Sequence, residues 1–150
     1  MATAAHKTQR SIQVLLVEDN LGDVVLLREV FKESKRPIHV ARVKDGDEAL
    51  DYLNREGRFV KAERPDLVLL DLNMPKKSGL EVLDQIKKDP ALQAIPVIVL
   101  TNSRQESDVR RAYDHHANFF ISKPADLQEL YLAMRYVENV WLGSVLEEAQ

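Results

Sequence analysis

Apolar residues along this chain gather into five runs of strand length: Ile12–Val17, Ile38–Val43, Leu67–Leu70, Val97–Leu100 and Phe119–Ile121. Most are continuous rather than alternating and rich in Val, Ile and Leu, as in strands covered on both faces; Ile38–Val43 is more mixed. Amphipathic segments lie between them. Asp45-x-x-Glu48, Ser78-x-x-Glu81 and Ser103-x-x-Glu106 each match a capping box, the side-chain pattern that satisfies the open N–H groups of a helix start. After Ser78, Leu80, Leu83 and Ile86 recur at helical spacing until Pro90 stops the segment. The pattern predicts five βα units in series. Right-handed crossovers fold such units into an α/β domain, a doubly wound parallel sheet with helices on both faces.

Composition narrows the class. A chain of 150 residues, 45% hydrophobic and 30% charged, is expected to form one globular domain. We expect a flexible tail over 1–10, the domain over 11–142 and a short tail over 143–150. Absence of cysteine excludes disulfides, thiolate catalysis and cysteine metal sites. A net charge of −3 offers no nucleic-acid or anionic-membrane surface. No apolar run approaches the roughly 18 residues of a membrane span, and the opening MATAAHKTQRS lacks a signal core. A soluble, cytoplasmic domain is the expectation.

In such sheets ligands bind beyond the carboxyl ends of the strands. The residues found there are Glu18, Asp19 and Asn20 after the first strand and Asp71 after the third. Thr101 follows the fourth, and Ser122-Lys123-Pro124 the fifth. Each has a plain alternative: Asp19 or Asn20 as a helix cap, Thr101 in a turn, Lys123 solvated, Pro124 starting a helix. Together they describe a site. Crowded carboxylates repel one another and call for a hard cation, of which Mg²⁺ takes oxygen ligands. A cation and an ammonium beside a carboxylate suit phosphoryl transfer, with Asp71 as nucleophile and Thr101 as a hydrogen-bond donor to the phosphoryl group.

The segments LLVEDN, LVLLDLNMPKKSG, VIVLTNS and FFISKP, in this order, resemble the receiver domains of two-component response regulators, with the CheY-like fold. The resemblance spans roughly 13–140 and implies the strand order 2-1-3-4-5. It implies Asp71 as the phospho-acceptor, Asp19 as a direct Mg²⁺ ligand, Glu18 acting mainly through water, and Asn73 lending a backbone carbonyl. Thr101 matches the switch hydroxyl, Lys123 the lysine that contacts the phosphoryl group, and Phe120 the switch aromatic. Length and tail resemble the stand-alone regulators that partner phytochrome-type histidine kinases.

Several positions depart from the family pattern. The acidic pair is Glu-Asp rather than Asp-Asp, Asn102 stands where a small residue is usual, and His116 stands where glycine is frequent. His115 and His116 read as a solvated pair rather than a metal site. Phe120 has no hydroxyl and must switch by packing.

Three function classes compete. A stand-alone phosphoacceptor that takes phosphate from a histidine kinase and changes its partner-binding face is favoured over a phosphate sink and over a pseudo-receiver, an interaction module that is never phosphorylated. A haloacid-dehalogenase-like phosphohydrolase would need a second acid where Asn73 stands, and an amide cannot protonate a leaving group. We expect no turnover enzyme. Finally, Leu127, Leu130, Tyr131, Met134, Val137 and Trp141 form one stripe. Leu127 to Met134 read as covering the sheet, but the helix outruns it, and Val140, Trp141, Leu142, Val145 and Leu146 come too late to find core. This points to a homodimer joined through Val137, Trp141, Leu142 and Val145.

Overall fold

The computed structural model describes residues 11–34, 37–72, 74, 78–101, 106–122, 132, 135 and 139. Along the chain run β1 (Ile12–Val17), α1 (Leu21–Lys32), β2 (Ile38–Val43), α2 (Gly46–Leu53) and a 3₁₀ turn at Gly57–Phe59. They are followed by β3 (Leu67–Leu70), α3 (Gly79–Lys88), β4 (Val97–Thr101), α4 (Glu106–Asp114) and β5 (Phe119–Ser122). The strands form one parallel sheet in the order β2-β1-β3-β4-β5. That is the order the resemblance implied.

The helix starts follow from their caps. Asn20 accepts from the Asp23 amide at 3.0 Å, Asp45 from Glu48 at 2.9 Å and Ser78 from Glu81 at 3.3 Å. Each side chain satisfies an N–H that the helix itself cannot. α3 stops at Lys88 because Pro90 disfavours helical geometry at the residue before it, and Asp89 is extended there with ψ 117°. β4 and β5 each run one residue further than the apolar pattern predicts. The ladder holds through the polar pair Thr101↔Ser122.

Side chains alternate across the strands, so the sheet has two apolar layers. Ile12, Val14 and Leu16 of β1, Leu67 and Leu69 of β3, and Ile98 and Leu100 of β4 pack with Val24, Leu27, Val30 and Phe31 of α1. Leu15, Val17, Val68, Leu70, Val97 and Val99 face the other way, onto Ala49 and Leu53 of α2, Val82, Leu83 and Ile86 of α3, and Ala112 of α4. Each buried aliphatic side chain contributes roughly 1.5–3 kcal/mol. This double covering explains the continuous apolar runs, and it fixes β1 and β3 side by side at the centre. β2, at the edge, is only half-buried over most of its length, which explains its mixed pattern.

The Ser103 capping box and the stripe residues Leu127, Leu130, Tyr131, Met134, Val137 and Trp141 lie outside the described residues. So do Val140, Leu142, Val145 and Leu146.

Candidate functional site

Where β1 and β3 end, the chain keeps its ladder for one more residue on each side. The Asp71 amide donates to the Val17 carbonyl at 3.1 Å, and the Glu18 amide to the Val43 carbonyl at 3.0 Å. Adjacent central strands therefore deliver Glu18 and Asp71 at the same level of the sheet. Carboxylate oxygens of Glu18, Asp19 and Asp71 all lie within 4.8 Å of one another. Glu18 is 1% exposed and Asp71 7%, while Asp19 is open to solvent.

Such a cluster is electrostatically costly. At that separation two carboxylates repel by about 3 kcal/mol, taking an effective dielectric near 20. Three oxygen donors of like charge, one of them exposed, fit a hard divalent cation. The donor set contains no nitrogen or sulfur that would favour a softer metal.

Local structure holds the acids in place. Asn20 is the cap of α1, as the plain reading had it, and its own amide donates to Glu18 Oε2 at 3.3 Å. Asp19 is therefore left to the cluster. Gly79, the first residue of α3, sits directly over the acceptor strand: its amide donates to the Leu72 carbonyl at 3.1 Å. A Cβ built there would meet the Asp71 carbonyl oxygen at 2.4 Å and Leu72 Cα at 2.6 Å. Only glycine lets α3 start this close to Asp71.

Thr101 ends β4 and pairs in register with Ser122, the residue before Lys123. Asn73 and Lys123 lie outside the described residues. Phe120 is half-buried and packs against the apolar layer on the α2, α3 and α4 side.

His116 has φ +70°, in the left-handed region, which accounts for the glycine frequent at that position in the family. His115 is not simply solvated: its Nδ1 lies 3.6 Å from Asp84 Oδ1 on α3. Asp84 stands 31 residues earlier in the chain, so only the fold brings the two together.

Sequence reasoning also missed Arg42 on β2. Its Nε donates to the Glu18 carbonyl at 2.9 Å and an Nη to the Asp19 carbonyl at 3.3 Å. A half-buried arginine on an edge strand carries no motif, so only the fold reveals this contact.

The chain matches the family "Response regulator receiver domain" over residues 14–135. It is 42% identical to Response regulator Rcp1 of Synechocystis sp. over 132 residues, covering 88% of this chain and 90% of that protein. Among solved structures, the phosphorylated cyanobacterial phytochrome response regulator RcpA superposes with TM-score 0.85 at 46% identity, covering 89% of this chain and 96% of that one. The Mn(2+)-bound form of Rcp1 superposes with TM-score 0.82 at 41% identity, covering 87% and 94%. With its sheet order, its acidic strand ends and these likenesses taken together, the chain belongs to the response regulator receiver family of two-component signalling.

Proposed function

We propose that this chain accepts a phosphoryl group from a histidine kinase onto Asp71. The observation that carries the reading is the buried Asp71 carboxylate sharing a space of 4.8 Å with Glu18 and Asp19 at the ends of two central strands. An Oδ of Asp71 attacks phosphorus, the new O–P bond forms as the N–P bond to the donor imidazole breaks, and the imidazole leaves. Burial strips water from the nucleophile, and the ladder at Val17 fixes its backbone.

Asp19, Asp71 and the Asn73 carbonyl would hold Mg²⁺, with Glu18 acting through water. When bound, the ion offsets the negative charge of the incoming phosphoryl oxygens. Thr101 and Lys123 would contact those oxygens, and Phe120 would repack as Thr101 moves. The likeness to RcpA, a cyanobacterial phytochrome response regulator, supports a phytochrome-type kinase as donor. The same reading takes 11–142 as the receiver unit of a cytoplasmic protein that turns over no substrate of its own. It takes Val137, Trp141, Leu142 and Val145 as a homodimer contact.

A phosphate-affinity gel after incubation with a phytochrome-type kinase, or with acetyl phosphate, tests the acceptor. The wild type should shift only with Mg²⁺, and Asp71→Asn should not shift. Equal shifts in both proteins, or a shift that survives chelation, would overturn the assignment. Transfer from acetyl phosphate but from no phytochrome-type kinase would retain the acceptor and remove the proposed donor.

A further inference from the structure

We infer that Arg42 is a positioning residue for the cation site, acting through the backbone that carries Glu18 and Asp19. The inference rests on the reading of Glu18, Asp19 and Asp71 as that site. Arg42 lies opposite Leu16 in the β1–β2 register, one residue before the last rung of the ladder. Past that rung, where the Glu18 amide still reaches Val43, the chain leaves the sheet toward the Asn20 cap. Arg42 bridges this exit with two donors of one planar guanidinium, to Glu18 O at 2.9 Å and Asp19 O at 3.3 Å. A rigid fork on successive carbonyls fixes their mutual orientation, which a flexible ammonium would not.

Mutual repulsion of the three carboxylates drives the exit loop apart, and Asp19, being exposed, has the most room to move. Arg42 opposes that movement without occupying the site, since its donors go to carbonyls of the main chain. The site is thereby assembled before the cation arrives, and binding need not order it.

Charge and positioning predict opposite signs, which makes the inference testable. A guanidinium near a cation repels it, so if charge were the whole role, removing it would tighten Mg²⁺ binding. Positioning predicts the reverse. Partners that orient metal ligands typically cost tenfold to a hundredfold in affinity when removed, and a loss of roughly tenfold is expected for Arg42→Met. Arg42→Lys, which keeps the charge but loses the fork, should also bind more weakly than wild type.

The experiment is Mg²⁺ titration of the full chain followed by amide chemical shifts, with thermal unfolding run on each variant to confirm folding. Weaker binding in both folded variants supports the inference. Tighter binding in Arg42→Met, or unchanged affinity in either folded variant, overturns it. Should Arg42→Met not fold, Arg42→Lys decides alone by the same criterion. A wild type that shows no Mg²⁺-dependent shifts overturns the cation-site reading itself, and this inference with it.

Discussion

The two ends of this sheet treat charge in opposite ways. At the amino end, polar groups are matched to partners. Asp66 accepts from the Gln13 amide at 2.8 Å, and Asn118 Oδ1 accepts from the Val97 amide at 2.8 Å. Lys87 Nζ donates to the Gln93 and Ile95 carbonyls and to Asn118 Oδ1, at 3.2, 3.0 and 2.9 Å. The ammonium ties α3, the loop after it and the start of β5 together. At the carboxyl end, three carboxylates crowd within 4.8 Å. One end is arranged for stability, and the other holds a repulsion that folding alone does not need. A local conflict of this kind is expected where a protein does its work.

That contrast can be broken at either end. The largest effect is expected from Asp71→Asn. It should abolish acyl-phosphate formation and, without Mg²⁺, raise the unfolding midpoint by relieving repulsion. A gain of about 1 kcal/mol would appear as ~2–4 °C in a domain of this size. Calorimetry beside a phosphorylation assay measures both, and a lower midpoint would mean the carboxylate cluster is a net source of stability.

Gly79→Ala should come next. Its methyl group would press on the Asp71 carbonyl and Leu72 Cα, which are backbone atoms that cannot swing aside. Overpacking of this kind costs about 1–3 kcal/mol, and here it also displaces the acceptor. Denaturant midpoint and phosphorylation rate should therefore both fall.

Lys87→Met separates the two ends cleanly. The Gln93 and Ile95 carbonyls lose the Lys87 ammonium, at about 1–3 kcal/mol for a polar atom that stays buried, while Asn118 Oδ1 keeps the Val97 amide and nothing near Asp71 changes. The denaturant midpoint should drop while phosphorylation of the folded protein keeps its rate. A slowed rate would show that the ends are coupled.

The smallest effect concerns Asp84, half-buried on α3. Its hydrogen bond from Lys88 at 2.7 Å holds its carboxyl below the ordinary value of 3.8, and His115 adds in the same direction. A depressed folded-state pKa gives stability that is present above the unfolded pKa and lost as pH falls through the folded one. Asp84→Asn should thus lower the midpoint slightly at neutral pH. The difference from wild type should vanish in acid below the folded pKa, as a series of melts across pH would record.

How much of this was legible in the sequence follows from the range of each interaction. Ile12–Val17 and Leu67–Leu70 are legible to the residue because burial on both faces writes itself as an apolar run, while Ile38–Val43, half-buried at the edge, is legible from the Ile and Val positions of its more mixed pattern. Thr101 and Ser122 extend their strands beyond the apolar pattern because backbone pairing needs no apolar side chain. The caps at Asp45 and Ser78 were visible since donor and acceptor lie three residues apart. Glu18, Asp19 and Asp71 could be gathered into one site because strand ends in a parallel sheet share an edge.

Contacts across long sequence separations were not visible. Arg42 reaches 23 and 24 residues back to Asp19 and Glu18, and Lys87 reaches 31 residues forward to Asn118. Neither residue type predicts its partner. The closeness of Gly79 to Asp71 is a matter of how α3 docks, which no local pattern encodes.

The most direct test of the central claim is to locate the phosphoryl group. Borohydride reduces an acyl phosphate to an alcohol, converting a phosphorylated aspartate to homoserine, a mark that peptide mass spectrometry can place on the chain. After acetyl phosphate and Mg²⁺, the account predicts that mark at Asp71 and its absence when the metal is chelated. A mark on Asp19 or Glu18 instead, or none under conditions where the protein is folded and Mg²⁺-bound, would contradict it.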